Sequence, residues 1–157
     1  MTPAIRLLEK HGIKFDLLAY QHDPDAPAYG LEAAEKLNLP AAQVFKTLVV
    51  SDESNRLYVA IVPVAKQLSM KAMAKAVKVK RITMADKDLV MRSTGYVLGG
   101  VSPLGQKKPL PTVLDDSAES LPTIYVSAGR RGLEVALVPS DLLQLTRAVF
   151  SSVASDN

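Results

Sequence analysis

A lysine inside an apolar run is the first residue whose type and position suggest chemistry. Lys46 lies within residues 44–50, where every other residue except Thr47 is apolar. A cation held there can bind a phosphate or a carboxylate, or stabilise charge on a polarised carbonyl. The alternative is a surface lysine whose stem lies along the strand while its ammonium reaches water. The pattern alone favours this second interpretation.

A glycine-rich segment, residues 99–103, is the second candidate. The adjacent glycines Gly99 and Gly100 allow the backbone to approach a ligand closely, and Pro103 stiffens the exit from the loop. Backbone amides in such a loop can donate to a carbonyl oxygen or an oxyanion. A wide turn between strands remains an equally good interpretation, because a lone Gly-Gly pair is a weak signal.

A predicted hairpin over residues 123–138 is the third candidate. Its two β-rich runs contain Ser127 and Glu134 and are joined by a turn with Arg130 and Arg131. A plain hairpin would bring the hydroxyl and the carboxylate together across the strands. The same hairpin could instead place the hydroxyl, the carboxylate and both arginines at the mouth of a pocket.

The composition excludes several classes of site. The 157 residues contain no cysteine, which excludes disulfides, cysteine-ligated zinc, iron–sulfur centres and cysteine nucleophiles. The two histidines, His11 and His22, have no partner at metal-ligand spacing, so we expect no metal site. The sequence also lacks a Walker A pattern and a Gly-x-Ser-x-Gly motif. No apolar run could span a bilayer and no signal peptide is recognisable, so we expect a cytoplasmic protein without a membrane partner.

The net charge of +3 is unevenly distributed. Residues 66–108 carry +8, while the rest of the chain carries −5. A basic block of this kind is typical of a polyanion-binding surface, although a solvated helix face is the ordinary alternative. The candidate RNA-facing residues are Lys71, Lys75, Lys78, Lys107 and Lys108.

The elements that must position these residues are short. The chain length fits one domain, which we place at residues 1–150, followed by a frayed tail over residues 151–157. Strands are predicted at 13–20, 44–51, 57–63, 79–84, 112–115, 123–127 and 133–138. Helices are predicted near 3–11, 30–38, 69–77, 86–93 and from about 139. Since these elements do not alternate strictly, the pattern predicts an α+β domain with a mixed, curved sheet of six or seven strands flanked by helices.

Many short motifs spread along the chain occur together. The most specific is Ser-Pro-Leu-Gly-Gln-Lys-Lys at residues 102–108. The others are residues 1–4, 7–10, 20, 22–24, 46–48, 84–86, 92–96, 99–100, 124–127 and 131–133. Together they resemble the YbaK/EbsC family of aminoacyl-tRNA editing domains.

This resemblance implies a compact fold around a barrel-like sheet, and hydrolysis of a mischarged aminoacyl ester on tRNA without a metal or cofactor. It makes Lys46 the central functional residue, with the backbone of Gly100, Val101 and Ser102 as catalytic donors. The implied substrate-binding residues are Tyr20, Tyr29, Thr47, Gly99, Pro103, Ser127, Gly129 and Glu134.

The chain departs from its close relatives within the third candidate hairpin. Ala128, Arg130 and Glu134 stand where glycine, lysine and aspartate are usual. Glu134 is one methylene longer than aspartate, so its role is the least secure of those carried over.

The branch of the family that the chain resembles most clears Cys-tRNA(Pro). The resemblance implies that the cysteinyl thiol attacks its own ester carbonyl, so that a thiolactone forms and the tRNA is released. Intramolecular attack of this kind can supply roughly 7–11 kcal/mol. The implied partners are the mischarged tRNA and prolyl-tRNA synthetase. Two alternatives stay open: a deacylase for Ala-tRNA(Pro) or another small amino acid, and a non-catalytic module that binds tRNA or a synthetase.

Overall fold

The computed structural model describes residues 1–26 and 29–156, apart from the side chain of Tyr29. Its α-helices are α1 (Pro3–Lys10), α2 (Tyr29–Lys36), α3 (Met70–Val77), α4 (Lys87–Thr94) and α5 (Pro139–Thr146). The first strands are β1 (Asp16–Ala19), β2 (Phe45–Asp52), β3 (Leu57–Pro63), β4 (Gln67–Leu68) and β5 (Ile82–Met84). The remaining strands are β6 (Thr112–Asp115), β7 (Ile124–Arg130), β8 (Leu133–Leu137), β9 (Val149–Ser151) and β10 (Ala154–Ser155).

The strands form three sheets. The largest has the order β5-β2-β3-β6-β9, with β2 antiparallel to both neighbours and β6 parallel to both of its own. A second sheet, β1-β8-β7, is antiparallel, and β10 pairs with β4. The predicted α+β class and mixed sheet are confirmed. The described residues form ten strands instead of six or seven, and the sheets do not close into a barrel.

A gap separates the two larger sheets beside β2. An isolated parallel bridge between Val44 and Tyr125 joins them just before β2 begins. On the side away from β3, the next strand pairing of β2 in the described structure is Val50 with Met84 of β5. Residues 45–49 therefore have a strand neighbour on one side only, and a space remains between them and β7.

Short polar signals set where the helices begin and end. The side chains of Thr2, Ser69 and Asp86 each accept a hydrogen bond from a backbone N–H in the first turn of α1, α3 and α4. Such caps satisfy donors that a helix start otherwise leaves unpaired. Helix α4 ends at Gly95, whose φ of +83° is the left-handed conformation that glycine adopts without strain.

Alternate residues of β2 and β3 face two different cores, which fixes their register. One core lies between the two larger sheets and contains Phe45, Val49 and Ile61. The other lies under α3 and contains Val50 and Val62. Since β2 separates the two cores, its side chains are held from both faces.

The C-terminal segment is packed, so the predicted frayed tail is wrong. Val153 is fully buried, and its carbonyl accepts from Ser69 N at 2.8 Å. The buried carboxylate of Asp115 accepts from the N–H groups of Val153 and Ala154 at 3.0 and 2.9 Å. A polar, serine-rich tail thus becomes ordered through partners more than 35 residues away, which no local pattern reveals.

Replacing Asp115 by alanine is expected to lower the free energy of unfolding by about 1–3 kcal/mol, because two donors near the tail lose their acceptor. Urea denaturation measures this loss. Asp116→Ala, at the exposed neighbouring carboxylate, is the matched control and should cost much less. Equal losses in the two variants would contradict an anchoring role for Asp115.

Candidate active site

A cavity of about 510 Å³ occupies the space between β2 and β7. Its walls come from residues 45–49 of β2, from β7 and β8, from the start of α2, and from the segments around 84–85 and 98–101. Seven of the residues predicted for the site line it: Tyr20, Lys46, Thr47, Gly99, Val101, Ser127 and Glu134. The open seam between the sheets therefore brings together all three of the segments that the sequence singled out.

Lys46 is held in the cavity wall, as the pocket interpretation requires. It lies opposite Val62 in the β2–β3 ladder and is partly buried. Burial lowers the pKa of its ammonium below the ordinary lysine value. No described carboxylate forms an ion pair with it. A partly desolvated cation without a counter-ion attracts an incoming negative charge more strongly than a fully hydrated one.

The hydroxyl of Thr47 is a second unsatisfied group in the same wall. Its Oγ1 atom is buried and has no hydrogen-bond partner within the described part of the chain. Buried hydroxyl groups in folded proteins normally have such a partner. The Thr47 hydroxyl is thus placed to bind a polar atom of a molecule that enters the cavity.

The hairpin prediction is confirmed in its cross-strand register, which pairs Ser127 with Glu134. Glu134 is almost completely buried, and burial raises the pKa of its carboxyl to about 8. Burial, together with the nearby Glu134, also raises the pKa of Tyr20. At neutral pH, Glu134 is therefore mainly a neutral acid that can donate a hydrogen bond, and it adds little negative charge to the cavity.

The glycine-rich segment, residues 99–103, contributes to the site through its packing as well as through the predicted backbone donors. The Gly100 N–H donates to Val97 O at 3.0 Å, which closes a turn and removes this amide from the predicted oxyanion donors. A Cβ atom at Gly100 would lie 2.9 Å from the Cα of Arg130. Glycine is needed there because the loop and the β7–β8 hairpin touch through their backbones. The N–H of Val101 forms no hydrogen bond with a described residue, so it remains a candidate donor.

Three other predicted residues support the site without lining it. Ser102 is fully buried, and its hydroxyl accepts from Leu104 N at 3.2 Å. Pro103 is buried beside it. Gly129 sits in a β-bulge with φ +113°, where a side chain would meet Tyr96 and Thr2. Tyr29 begins α2, but its side chain lies outside the described residues.

The cavity also has basic residues besides Lys46. Lys66, Arg130 and Arg131 line it with Lys46. One interpretation of the hairpin placed the two arginines at the mouth of a pocket. For Lys66, the sequence indicated only that it belongs to the basic block of residues 66–108. It reaches the cavity because a turn after β3, closed by Lys66 N to Pro63 O at 3.0 Å, folds the chain back.

The lysines predicted to face RNA do not line the cavity. Lys71 and Lys75 are exposed on α3, and Lys78 is its C-cap in the left-handed conformation. Lys107 and Lys108 are exposed too, while their N–H groups donate to Thr94 O and Ser93 O at the end of α4. Their role in RNA binding stays a prediction.

Known proteins resemble this chain in sequence and in structure. A family model described as an aminoacyl-tRNA editing domain matches residues 24–145. The chain belongs to this family. It is 33% identical to EbsC of Enterococcus faecalis over 154 residues, which are 98% of this chain and 93% of EbsC. EbsC is provisionally named a Cys-tRNA(Pro)/Cys-tRNA(Cys) deacylase.

Two further similarities connect other editing-domain relatives to proline tRNA. A crystal structure, provisionally described as a trans-editing enzyme for prolyl-tRNA synthetase, has a TM-score of 0.81 and 26% identity, with 99% of each chain covered. A proline–tRNA ligase from Trichlorobacter lovleyi is 31% identical over 107 residues, which are 68% of this chain and 18% of the ligase.

No helix in the described part of the chain is long and apolar enough to cross a membrane.

The raised pKa of Glu134 makes stability depend on pH. The folded protein holds this proton with a pKa of about 8, against an ordinary value of 4.5. The free energy of unfolding should therefore fall as the pH rises from about 5 to 8, by at most about 1.4 kcal/mol per pH unit from this group. Glu134→Gln should remove that slope, which urea denaturation at several pH values measures.

Glu9→Gln, on the exposed face of α1, is the control and should keep the wild-type slope. Parallel pH profiles for the wild type and Glu134→Gln would show that Glu134 is not protonated in the fold.

Proposed function

We propose that this editing domain is a deacylase that clears Cys-tRNA(Pro) by cleaving its aminoacyl ester. The observation that carries the proposal is the partly buried Lys46, which has no counter-ion among the described residues. It lines a cavity whose carboxyl group at Glu134 is mainly neutral at pH 7. Such a site favours a reaction in which negative charge develops on the substrate. The family membership and the provisional name of EbsC supply the substrate class.

In the proposed reaction the substrate supplies the nucleophile. The cysteinyl sulfur attacks the ester carbonyl carbon, and the bond between that carbon and the ribose oxygen breaks. The thiol proton passes to the ribose oxygen, which leaves a cysteine thiolactone and a tRNA with a free terminal hydroxyl. Because the attack is intramolecular, the protein needs only to fold the substrate back on itself and to stabilise the oxyanion.

Each group in the cavity has a role in this scheme. Lys46 stabilises the negative charge that develops on the carbonyl oxygen, and Val101, which lines the same cavity, supplies its N–H as the backbone donor. The orphaned Thr47 hydroxyl and the neutral Glu134 carboxyl bind polar atoms of the terminal ribose or of the amino acid. Without these contacts the thiol and the ester would seldom adopt the attacking geometry.

Lys46→Ala is expected to lower the single-turnover rate of Cys-tRNA(Pro) deacylation by about 10²–10³, the range measured for loss of one oxyanion donor in other enzymes. Lys46→Arg keeps the charge but changes its geometry, so it should restore part of the rate. Lys10→Ala, at an exposed lysine of α1, should behave like the wild type. A Lys46→Ala protein that is folded and fully active would refute the assignment.

Substrate-assisted attack predicts a strong preference among tRNA(Pro) molecules charged with different amino acids. Ser-tRNA(Pro) should react far more slowly than Cys-tRNA(Pro), because a hydroxyl is a much poorer nucleophile than a thiol. Detection of the thiolactone would identify the product directly. Equal rates for the two substrates would exclude thiol assistance. Faster cleavage of Ala-tRNA(Pro) would favour the small-amino-acid deacylase instead, and tRNA binding without cleavage would favour the non-catalytic module.

We also propose that prolyl-tRNA synthetase directs this domain to tRNA(Pro). The similarity of 107 residues to part of a proline–tRNA ligase supports this, since the two kinds of domain occur in one chain there. A cavity of about 510 Å³ is too small for more than the aminoacyl end, so a separate protein is a reasonable source of selectivity for the tRNA body. Adding the synthetase should raise deacylation of Cys-tRNA(Pro) above that of Cys-tRNA(Cys).

A further inference from the structure

Positive charge dominates the cavity well beyond Lys46. Four basic side chains line it, and Glu134 is the one acid in its described wall. Because Glu134 is mainly protonated at neutral pH, the wall carries a net positive charge. An anion is thus attracted to the mouth as well as to the centre of the cavity.

One of these cations, Lys66, pairs with an acid. The antiparallel register of β4 and β10 places Ser155 opposite Gln67 and Ala154 opposite Leu68. The next residues along this register are Asp156 and Lys66, and their side chains form an ion pair. The residue that follows β10 therefore places a carboxylate beside a lysine of the cavity wall.

This pair is open to solvent and easily broken. The side chain of Lys66 is 45% exposed and that of Asp156 is 84% exposed. Ion pairs this exposed contribute little to stability, because water and salt screen them. Another anion can therefore replace Asp156 at small cost, whereas the strand pairing of β4 and β10 keeps Lys66 at the rim.

A phosphate group is well suited to replace the Asp156 carboxylate at Lys66. It carries a full charge and several acceptor oxygens, so it binds an ammonium at least as well as a carboxylate does. An aminoacyl ester that enters the cavity is preceded along the RNA by the phosphodiester links of the terminal nucleotides. We expect one of these links to pass Lys66, whose partly exposed side chain belongs to the cavity wall.

We propose that Lys66 binds a backbone phosphate of the tRNA acceptor end, and that Asp156 occupies the Lys66 ammonium until this phosphate replaces it. The proposal rests on the proposed function, since it takes an aminoacyl-tRNA as the ligand. Asp156 competes with the RNA phosphate for the Lys66 ammonium. The C-terminal segment thereby lowers the affinity of the site for RNA.

The two partners of the ion pair should then have opposite effects on RNA binding. Lys66→Met is expected to weaken the binding of uncharged tRNA(Pro) by about two- to fivefold, and to reduce the salt dependence of log K by about 0.7–1. Asp156→Asn is expected to strengthen binding by about twofold. Fluorescence anisotropy with labelled tRNA at several salt concentrations measures both changes.

Matched variants control for general charge effects. Lys10→Met and Asp16→Asn, at exposed positions outside the cavity wall, should leave the salt slope and the affinity near wild type. The double variant of Lys66→Met and Asp156→Asn should bind like Lys66→Met alone, because Asp156 acts only through Lys66. If both single variants weakened binding, or if neither changed it, the pair would be structural and the proposal would be overturned.

This experiment separates the proposal from the deacylase function. Binding of uncharged tRNA does not require ester cleavage, so opposite effects could appear even if no deacylation were found. Conversely, an active deacylase whose tRNA affinity ignored both residues would keep the proposed function and lose this inference. For the active protein, Lys66→Met should raise the protein concentration that gives half of the maximal single-turnover rate.

Discussion

An ammonium group held partly out of water, with no ion-pair partner in the described part of the chain, is the constraint on which the rest of this site depends. Such a group costs free energy to bury, and its lowered pKa reflects that cost. The fold sustains Lys46 there because β2 is fixed by β3 along its whole length and by cores on both faces. The stability lost at one side chain is small beside the apolar burial of the surrounding strands.

The position of Lys46 in the cavity wall also requires that the two larger sheets stay unpaired beside residues 45–49. A strand paired with residues 45–49 on their free side would fill the space that Lys46 and Thr47 now line. The bridge between Val44 and Tyr125 holds the two sheets together at one end of the seam. On another side of the cavity, Gly100 lets the glycine-rich segment contact the β7–β8 hairpin through the backbone. The two larger sheets are thus unpaired along this part of β2, and the close backbone contacts on two sides bound the cavity between them.

Much of this could be predicted from local sequence. The helices predicted near 3–11, 69–77 and 86–93 are present, and their starts are capped by Thr2, Ser69 and Asp86. The strands predicted at 44–51 and 57–63 are also present and pair as a hairpin. The hairpin pattern also placed Ser127 opposite Glu134. These features depend on residues only a few positions apart. The family resemblance then selected Lys46, which the strand pattern alone assigned to the surface.

The parts that escaped prediction depend on contacts distant in sequence. The tail was expected to fray because its own residues are polar, yet the buried carboxylate of Asp115 and the exposed edge of β4 supply its partners. Gly100 was expected to offer its amide to a ligand, but its use in a turn depends on Val97. Lys66 belongs to the cavity only because the chain reverses after β3. The family model ends at residue 145, before the strand that brings Asp156 to Lys66. A residue outside the matched region therefore pairs with a lysine of the cavity wall, and comparison of the matched domain alone would not reveal this pair.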